Sequence, residues 1–218
     1  MKVLLICDDK FHPGEVLKEG LSGMEQQGFR FDFMMEAKEM LTPELLWEYP
    51  VVIVARGNPP MDDGRPSWFE PGVSRTMPED FRRYVEEGGG LLALHGGNAF
   101  RIYRDGEFCR LVGNSFVQHP PCCEVRAEIV GAHEITEGVE PFAEWDEHYE
   151  LDHLAADREV FLETISENGG RQPAGYTRLL GKGRICVLTP GHTLPMLKNP
   201  HFRRLLSNAL NWCAGGQK

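Results

Sequence analysis

No stretch of this sequence approaches the roughly 20 apolar residues that span a bilayer. The opening MKVLLICDDK carries too short an apolar run for a secretion signal and reads as a first strand. A cytoplasmic protein with no membrane partner is the first expectation. Positive charge is also scarce: 23 Lys and Arg against 33 Asp and Glu leave a formal net charge of −10. Nucleic acid demands a cationic footprint, so it is not an expected partner. The six cysteines, Cys7, Cys109, Cys122, Cys123, Cys186 and Cys213, form no C-x-x-C pair, which argues against a zinc finger or a thioredoxin-like site. Scattered thiols of this kind suit a reducing compartment. There is no H-E-x-x-H, no internal repeat and no low-complexity segment.

What is present is ordinary globular composition, 41% hydrophobic and 26% charged, in a length suited to one cored domain over residues 1–218. The organising stretch is Val85–Phe100, VEEGGGLLALHGGNAF. Three glycines stop a helix, and Leu91–Leu94 form an apolar run typical of a strand buried on both faces. His95-Gly96-Gly97-Asn98 then turns the chain into an expected helix reaching about Leu111, interrupted near Asp105-Gly106. His95 is thereby placed at the carboxyl end of a central strand, where open α/β sheets hold their ligands.

Further strands are expected at Val3–Cys7, Phe29–Met35 and Val51–Ala55. Later ones fall at Cys123–Val130, Trp145–Leu151, Val160–Ile165, Tyr176–Leu180 and Arg184–Leu188, the last two forming a hairpin. A closing helix follows Asn199-Pro200. The order βαβαβαβα followed by extra strands predicts an α/β layered domain. Between Gly57 and Thr76 lie four prolines and the pair Trp68-Phe69; an irregular segment this long usually covers a site or meets a partner, including a second copy in a homo-oligomer. A mobile surface loop is the alternative.

Asp8, Asp9 and His12 follow the first strand, Arg56 the third, His95 the central one and His192 the last. One histidine at a strand end is ordinarily structural; several converging on one sheet edge make a candidate site. In Glu144–Glu150, strand alternation puts Glu147 with Trp145 and Tyr149, and Asp146 with His148. A carboxylate between aromatics is a candidate acid or base, although an edge strand would leave it solvated. His119 offers one more imidazole. His95, Glu147 and His192 are also the candidate ligands for a divalent metal such as zinc, a reading that rests on convergence alone.

These stretches resemble the ThuA-like (trehalose utilisation) family across most of the chain. The resemblance is carried by GGGLLALHGG (Gly88–Gly97), HEITEGVEPF (His133–Phe142), DEHYE (Asp146–Glu150), GKGRICVLTPGH (Gly181–His192) and NPHFRRLLSNALNW (Asn199–Trp212). It implies a flavodoxin-like, class I glutamine amidotransferase-like three-layer domain with extra strands in the C-terminal half. His95 stands where those amidotransferases carry an elbow cysteine, and Cys109 lies a helix away, so glutamine amidotransferase chemistry is not expected. The resemblance further implies action on a small carbohydrate, trehalose or a related disaccharide or keto-sugar, by acid–base or metal-assisted chemistry. His95, Glu147, Tyr149 and His192 occupy the family's motif positions and are the catalytic candidates. His12, Arg56, Asn98, His119 and Trp68 are the substrate-binding candidates. The sequence departs from the family's frequent His-Pro-Ile-Thr at His133-Glu134-Ile135-Thr136, and its Gly57–Thr76 segment is long. A non-catalytic sugar-binding or assembly protein that kept the fold is the competing reading.

Overall fold

The apolar runs become the centre of a nine-stranded sheet in the computed structural model, which describes residues 1–101, 104, 106–152 and 154–215. The strands are β1 (Lys2–Ile6), β2 (Arg30–Met34), β3 (Val51–Val54), β4 (Gly90–Leu94), β5 (Ser115–Gln118), β6 (Cys123–Ile129), β7 (Phe142–Asp146), β8 (Glu150–Asp152), β9 (Glu159–Ser166), β10 (Gly170–Leu180) and β11 (Gly183–Leu188). The main sheet runs β2-β1-β3-β4-β11-β10-β9-β6-β7, while β5 and β8 pair separately. From β2 to β11 every pairing is parallel; from β11 to β7 every pairing is antiparallel.

Strand alternation sorts the central side chains into two cores. Val3, Leu5, Leu92, Leu94, Cys186 and Leu188 enter one, together with Leu17 and Leu21 of α1 (Gly14–Leu21). Leu4, Ile6, Leu91, Ala93, Ile185 and Val187 enter the other. Short helices α2 (Ala37–Met40) and α3 (Pro43–Leu46) precede α4 (Pro78–Glu86) and α5 (Glu107–Val112), which cover the second face through Phe81, Tyr84, Phe108 and Leu111. Beyond α6 (Leu194–Lys198), the closing helix α7 (Pro200–Cys213) seals the first face with Phe202, Leu205, Leu206 and Leu210. The Asn199 side chain caps it, accepting from the N–H groups of His201 and Phe202. The result is the three-layer α/β architecture, flavodoxin-like on its parallel side and extended by antiparallel strands on the other. Among the described residues, no helix is long and apolar enough to cross a membrane.

Three local expectations are corrected. The helix expected to begin after His95, interrupted near Asp105-Gly106, is instead a single 3-10 turn, His95–Asn98, over its first part. Asn98 causes this: its amide nitrogen lies 3.2 Å from the carbonyls of Ala93 and His95 and 3.4 Å from that of Leu188, which pins the turn. Regular helix resumes only at Glu107, and residues 102, 103 and 105 of the expected helix lie outside the described ones. The expected strand Trp145–Leu151 is broken after Asp146, so Trp145 points outward at 59% exposure and does not share the surroundings of Glu147. Trp68 and Phe69, expected to cover a site or a partner, are buried in the second core. They stack at 4.2 Å against one another, beside Phe81, Phe100 and Phe108. A segment able to bury its own aromatics needs no second surface to cover them. Trp68 therefore offers no stacking platform for a sugar.

Candidate functional site

The carboxyl ends of β1, β3, β4 and β11 lead to His12, Arg56, His95 and His192. The chain reverses its strand order at β2-β1-β3, so this edge holds the crevice where open α/β sheets bind ligands. His95 adopts φ +40°, a left-handed conformation that a non-glycine residue holds only when its surroundings enforce it. Two glycines make the enforcement possible. A Cβ at Gly97 would stand 1.9 Å from the Val54 carbonyl oxygen, and one at Gly96 would meet the Ala55 oxygen and the His12 ring, each at 2.9 Å. The turn can pack onto the end of β3 only without those carbons.

Glu147 reaches the same place from the opposite half of the sheet. The Asp146 carboxylate, fully buried, accepts from the N–H groups of Gly191 (2.8 Å), His192 (3.0 Å) and Thr193 (2.9 Å). That clasp ends β7 and ties the loop bearing His192 to the loop bearing Glu147. The Nε2 of His95 then lies 3.2 Å from His192 Nδ1 and 3.3 Å from Glu147 Oε2, and the last two are 3.5 Å apart.

Protonation can be read from the partners. His95 Nδ1 is 2.7 Å from the Thr189 carbonyl, which can only accept, so Nδ1 carries the proton. Burial holds the His95 pKa down to about 4, against the pull of Glu147, and the ring is neutral at pH 7. Its bare Nε2 consequently faces a carboxylate oxygen, acceptor against acceptor. Burial acts to raise Glu147, and only a proton or positive charge carried among His95, His192 and His119 brings it down, to about 2. Burial likewise lowers His192. Facing lone pairs of this kind call for a shared proton or a cation between them.

A second chain of contacts runs beside the first. Asp9 accepts from His12 Nδ1 at 2.8 Å and from the backbone N–H groups of Phe11, His12 and Gly57. In the neutral ring this leaves His12 Nε2 as acceptor, 3.0 Å from the Tyr149 hydroxyl. Burial pushes the buried Tyr149 well above the usual phenol range, with Glu147 adding to the shift, so its hydroxyl donates. His119 stands behind Glu147, Nε2 to Oε1 3.6 Å, with its ring beside Tyr149.

Of the residues singled out from the sequence, the structure gathers His12, His95, His119, Glu147, Tyr149 and His192. It does not bring in Trp68, and Asn98 serves the turn, its oxygen accepting from Asn114. Arg56 lies apart, beneath the Gly57–Thr76 segment, donating to the Ser67 carbonyl. Sequence reasoning passed over Asp9 as a partner of His12, although the spacing i, i+3 after a strand was its signal. Asp146 was assigned to the face away from Glu147, and its role as a clasp leaves no mark in a strand pattern.

The family profile described as "ThuA: Trehalose utilisation" matches residues 8–213. The chain belongs to the ThuA family. No curated protein sequence matches it. Among solved structures, a ThuA-like protein from Parabacteroides merdae is similar over 99% of this chain and 90% of its own, with 20% identity and TM-score 0.74. A ThuA-like protein from Bacteroides uniformis is similar over 98% of this chain and 91% of its own, with 19% identity and TM-score 0.70. A β-galactosidase from Rahnella sp. R3 matches 96% of this chain with 31% of its length, at 14% identity and TM-score 0.65. At these identities the likeness is one of fold.

In this ThuA-family chain the donor set suits a divalent cation. Among the described residues, His12, His95, Glu147 and His192 each offer one ligand atom, all within 4.8 Å of one another. Zinc–nitrogen bonds of about 2.0–2.1 Å place tetrahedral ligands about 3.3 Å apart. The His95–His192–Glu147 separations of 3.2, 3.3 and 3.5 Å have that spacing. His12, whose Nε2 lies 3.0 Å from the Tyr149 hydroxyl, is the fourth member of this group.

Proposed function

We propose that this protein is a divalent-metal enzyme acting on a small carbohydrate, with His95, His192 and Glu147 as ligands and an acid–base pair of His12 and Tyr149. The observation carrying this reading is the triangle of His95 Nε2, His192 Nδ1 and Glu147 Oε2, three ligand-type atoms 3.2–3.5 Å apart, with no lysine or arginine paired to Glu147 among the described residues. When bound, a divalent ion would supply Lewis acidity toward a sugar carbonyl or hydroxyl. The chain's own groups do the remaining work. His12 Nε2 takes a proton from the substrate, Tyr149 gives its hydroxyl proton to a substrate oxygen, and the 3.0 Å contact between them returns the proton from the imidazolium to the phenolate. Asp9, fixed by three backbone N–H groups, holds His12 in the required tautomer and stabilises its imidazolium. Thr189 does the same service for His95 by holding its Nδ1–H. The carbohydrate class is supported by the family's trehalose-utilisation description and by the β-galactosidase among its structural neighbours. A cytoplasmic setting suits its free cysteines.

The test is metal analysis of protein purified without a metal-affinity step, followed by sugar turnover with and without added Zn²⁺ or Mn²⁺. One ion per chain, absent from Glu147→Gln, is expected; failure to bind either ion at millimolar concentration would end the metal reading. One observation favours the non-catalytic alternative: the cavity against His12, His95 and His192 is only about 20 Å³, room for a water and not for a sugar ring. Metal-loaded protein that binds a sugar and turns none over would establish that alternative.

A further inference from the structure

On the far side of the Asp8–His12 loop, a cleft of about 490 Å³ opens between that loop, α2 and the Gly57–Thr76 segment. Arg56 forms part of its floor at 5% exposure. Its guanidinium lies over the Trp68 ring at 5.3 Å and donates through Nη2 to the Ser67 carbonyl. Among the described residues no carboxylate approaches it within 4.0 Å, and the buried Nε has no partner. Nη1 likewise has no hydrogen-bond partner among the described residues, and Arg56 lines the cleft. Two neighbouring donors share this condition: Asn58 Nδ2 and Trp68 Nε1 are buried without acceptors.

Buried donors are almost always satisfied, and a buried guanidinium without an anion carries a large desolvation penalty. The other cations of the cleft already have partners. Lys38 is paired with Glu70 and donates to the Pro66 carbonyl, and Lys10 is paired with Asp62 at 2.9 Å. Arg56 is thus the floor cation that no carboxylate contacts among the described residues, Asp9 and Asp8 acting on it only from beyond 4.0 Å. The remaining acids, Asp8, Glu36 and Glu39, are exposed at the rim, where they oppose a dianion more than a monoanion.

We infer that this cleft binds a monocarboxylate sugar acid, its carboxylate taken by Nη1 and the second Nη2 hydrogen at the end of the Arg56 guanidinium, and its hydroxyls meeting the rim acids. The carboxylate follows from Arg56 alone; that a sugar carries it rests on the function proposed above. Planar, two-pronged recognition of this kind is what a guanidinium supplies and an ammonium does not.

Calorimetric titration of the full chain with D-glucuronate, D-glucose, acetate and inorganic phosphate tests the inference. Glucuronate is expected to bind at least tenfold more tightly than glucose or phosphate. Arg56→Lys, which keeps the charge, should lose tenfold or more of that affinity, and Arg56→Met all of it. Should Arg56→Met fail to fold, the lysine variant and the ligand comparison on the unaltered protein still decide. Equal binding of acetate and glucuronate would keep the carboxylate site and remove the sugar. Glucose or phosphate binding as tightly as glucuronate, or no binding of either acid at tens of millimolar, would overturn the inference. None of these readouts involves the histidine cluster, so failure here leaves the metal reading standing.

Discussion

Glu147 is the residue on which the proposed chemistry turns, and its surroundings make an unusual prediction. Without a cation its carboxylate faces the bare Nε2 of His95 at 3.3 Å, so the charge is poorly served there. Glu147→Gln keeps the volume, removes the charge and gives His95 a donor. Melting temperature measured in chelator should stay near that of the parent or rise, while metal affinity falls by roughly 10²-fold or more. A loss of about 3–5 kcal/mol on this substitution would mark Glu147 as half of a structural ion pair instead. His95 itself predicts a pH dependence. Its folded value of about 4 lies below the unfolded 6.5, so its contribution is complete above pH 6.5 and is lost as pH falls toward 4. At about 1.4 kcal/mol per pH unit, the metal-free protein should lose about 2 kcal/mol from this group by pH 5. Asp146 runs the other way: burial, against its three N–H donors, raises it to about 7, so its contribution falls as pH rises from 3.8. Urea unfolding of the parent and of His95→Gln at pH 7 and pH 5 isolates the histidine, since Asp146 is common to both. Parallel pH dependences in the two proteins would mean that His95 is not buried as a neutral ring.

At the scale of elements, the tightest requirement is the turn that follows β4. Gly97→Ala would drive a methyl group to 1.9 Å from the Val54 oxygen, rigid backbone within a central strand, and should cost several kcal/mol or abolish folding. Gly96→Ala meets the edge of the His12 ring as well as the Ala55 oxygen, so it should fold less stably with His12 displaced from Tyr149. Circular dichroism melts and the NMR titration of His12 distinguish the two; equal and mild effects would show that the turn has slack. This turn also shows why some elements were legible in the sequence and others were not. The strands β1, β3, β4 and β11 announce themselves as apolar runs because both faces are buried, and placing His95 and His192 at their ends needs nothing more. The turn after His95 is not legible because its conformation is set by Asn98 reaching carbonyls as distant as Leu188, a tertiary contact with no local signal. Likewise, Asp146 breaks β7 by binding a loop 45 residues away. Trp68 and Phe69 resemble an exposed recognition pair until the second core that receives them has been assembled.

Across the whole molecule, the cluster joins two halves of different construction. His12, His95 and His192 follow parallel strands, whereas Glu147 comes from the loop between β7, at the far edge of the antiparallel extension, and β8 of the separate hairpin. This seam is held by the Asp146 clasp, by the Thr193 hydroxyl donating to the Trp145 carbonyl, and by the Tyr149–His12 hydrogen bond. A cation bound at the seam would add a further tie, and it would act on the native state only, because the unfolded chain scatters these four residues across 180 positions of sequence. At a free ion concentration 100 times the dissociation constant, linkage adds about 2.7 kcal/mol. For a chain of 218 residues, that raises the melting temperature by about 5–10 °C. The same tie should slow amide exchange at Glu147–Tyr149 and Gly191–Thr193 together, since neither loop can then open without the other. Hydrogen exchange of chelated and Zn²⁺-loaded protein measures both loops at once. Protection gained in only one of them, or a melting temperature indifferent to metal, would mean that no ion bridges the halves and that the triangle is closed by a proton.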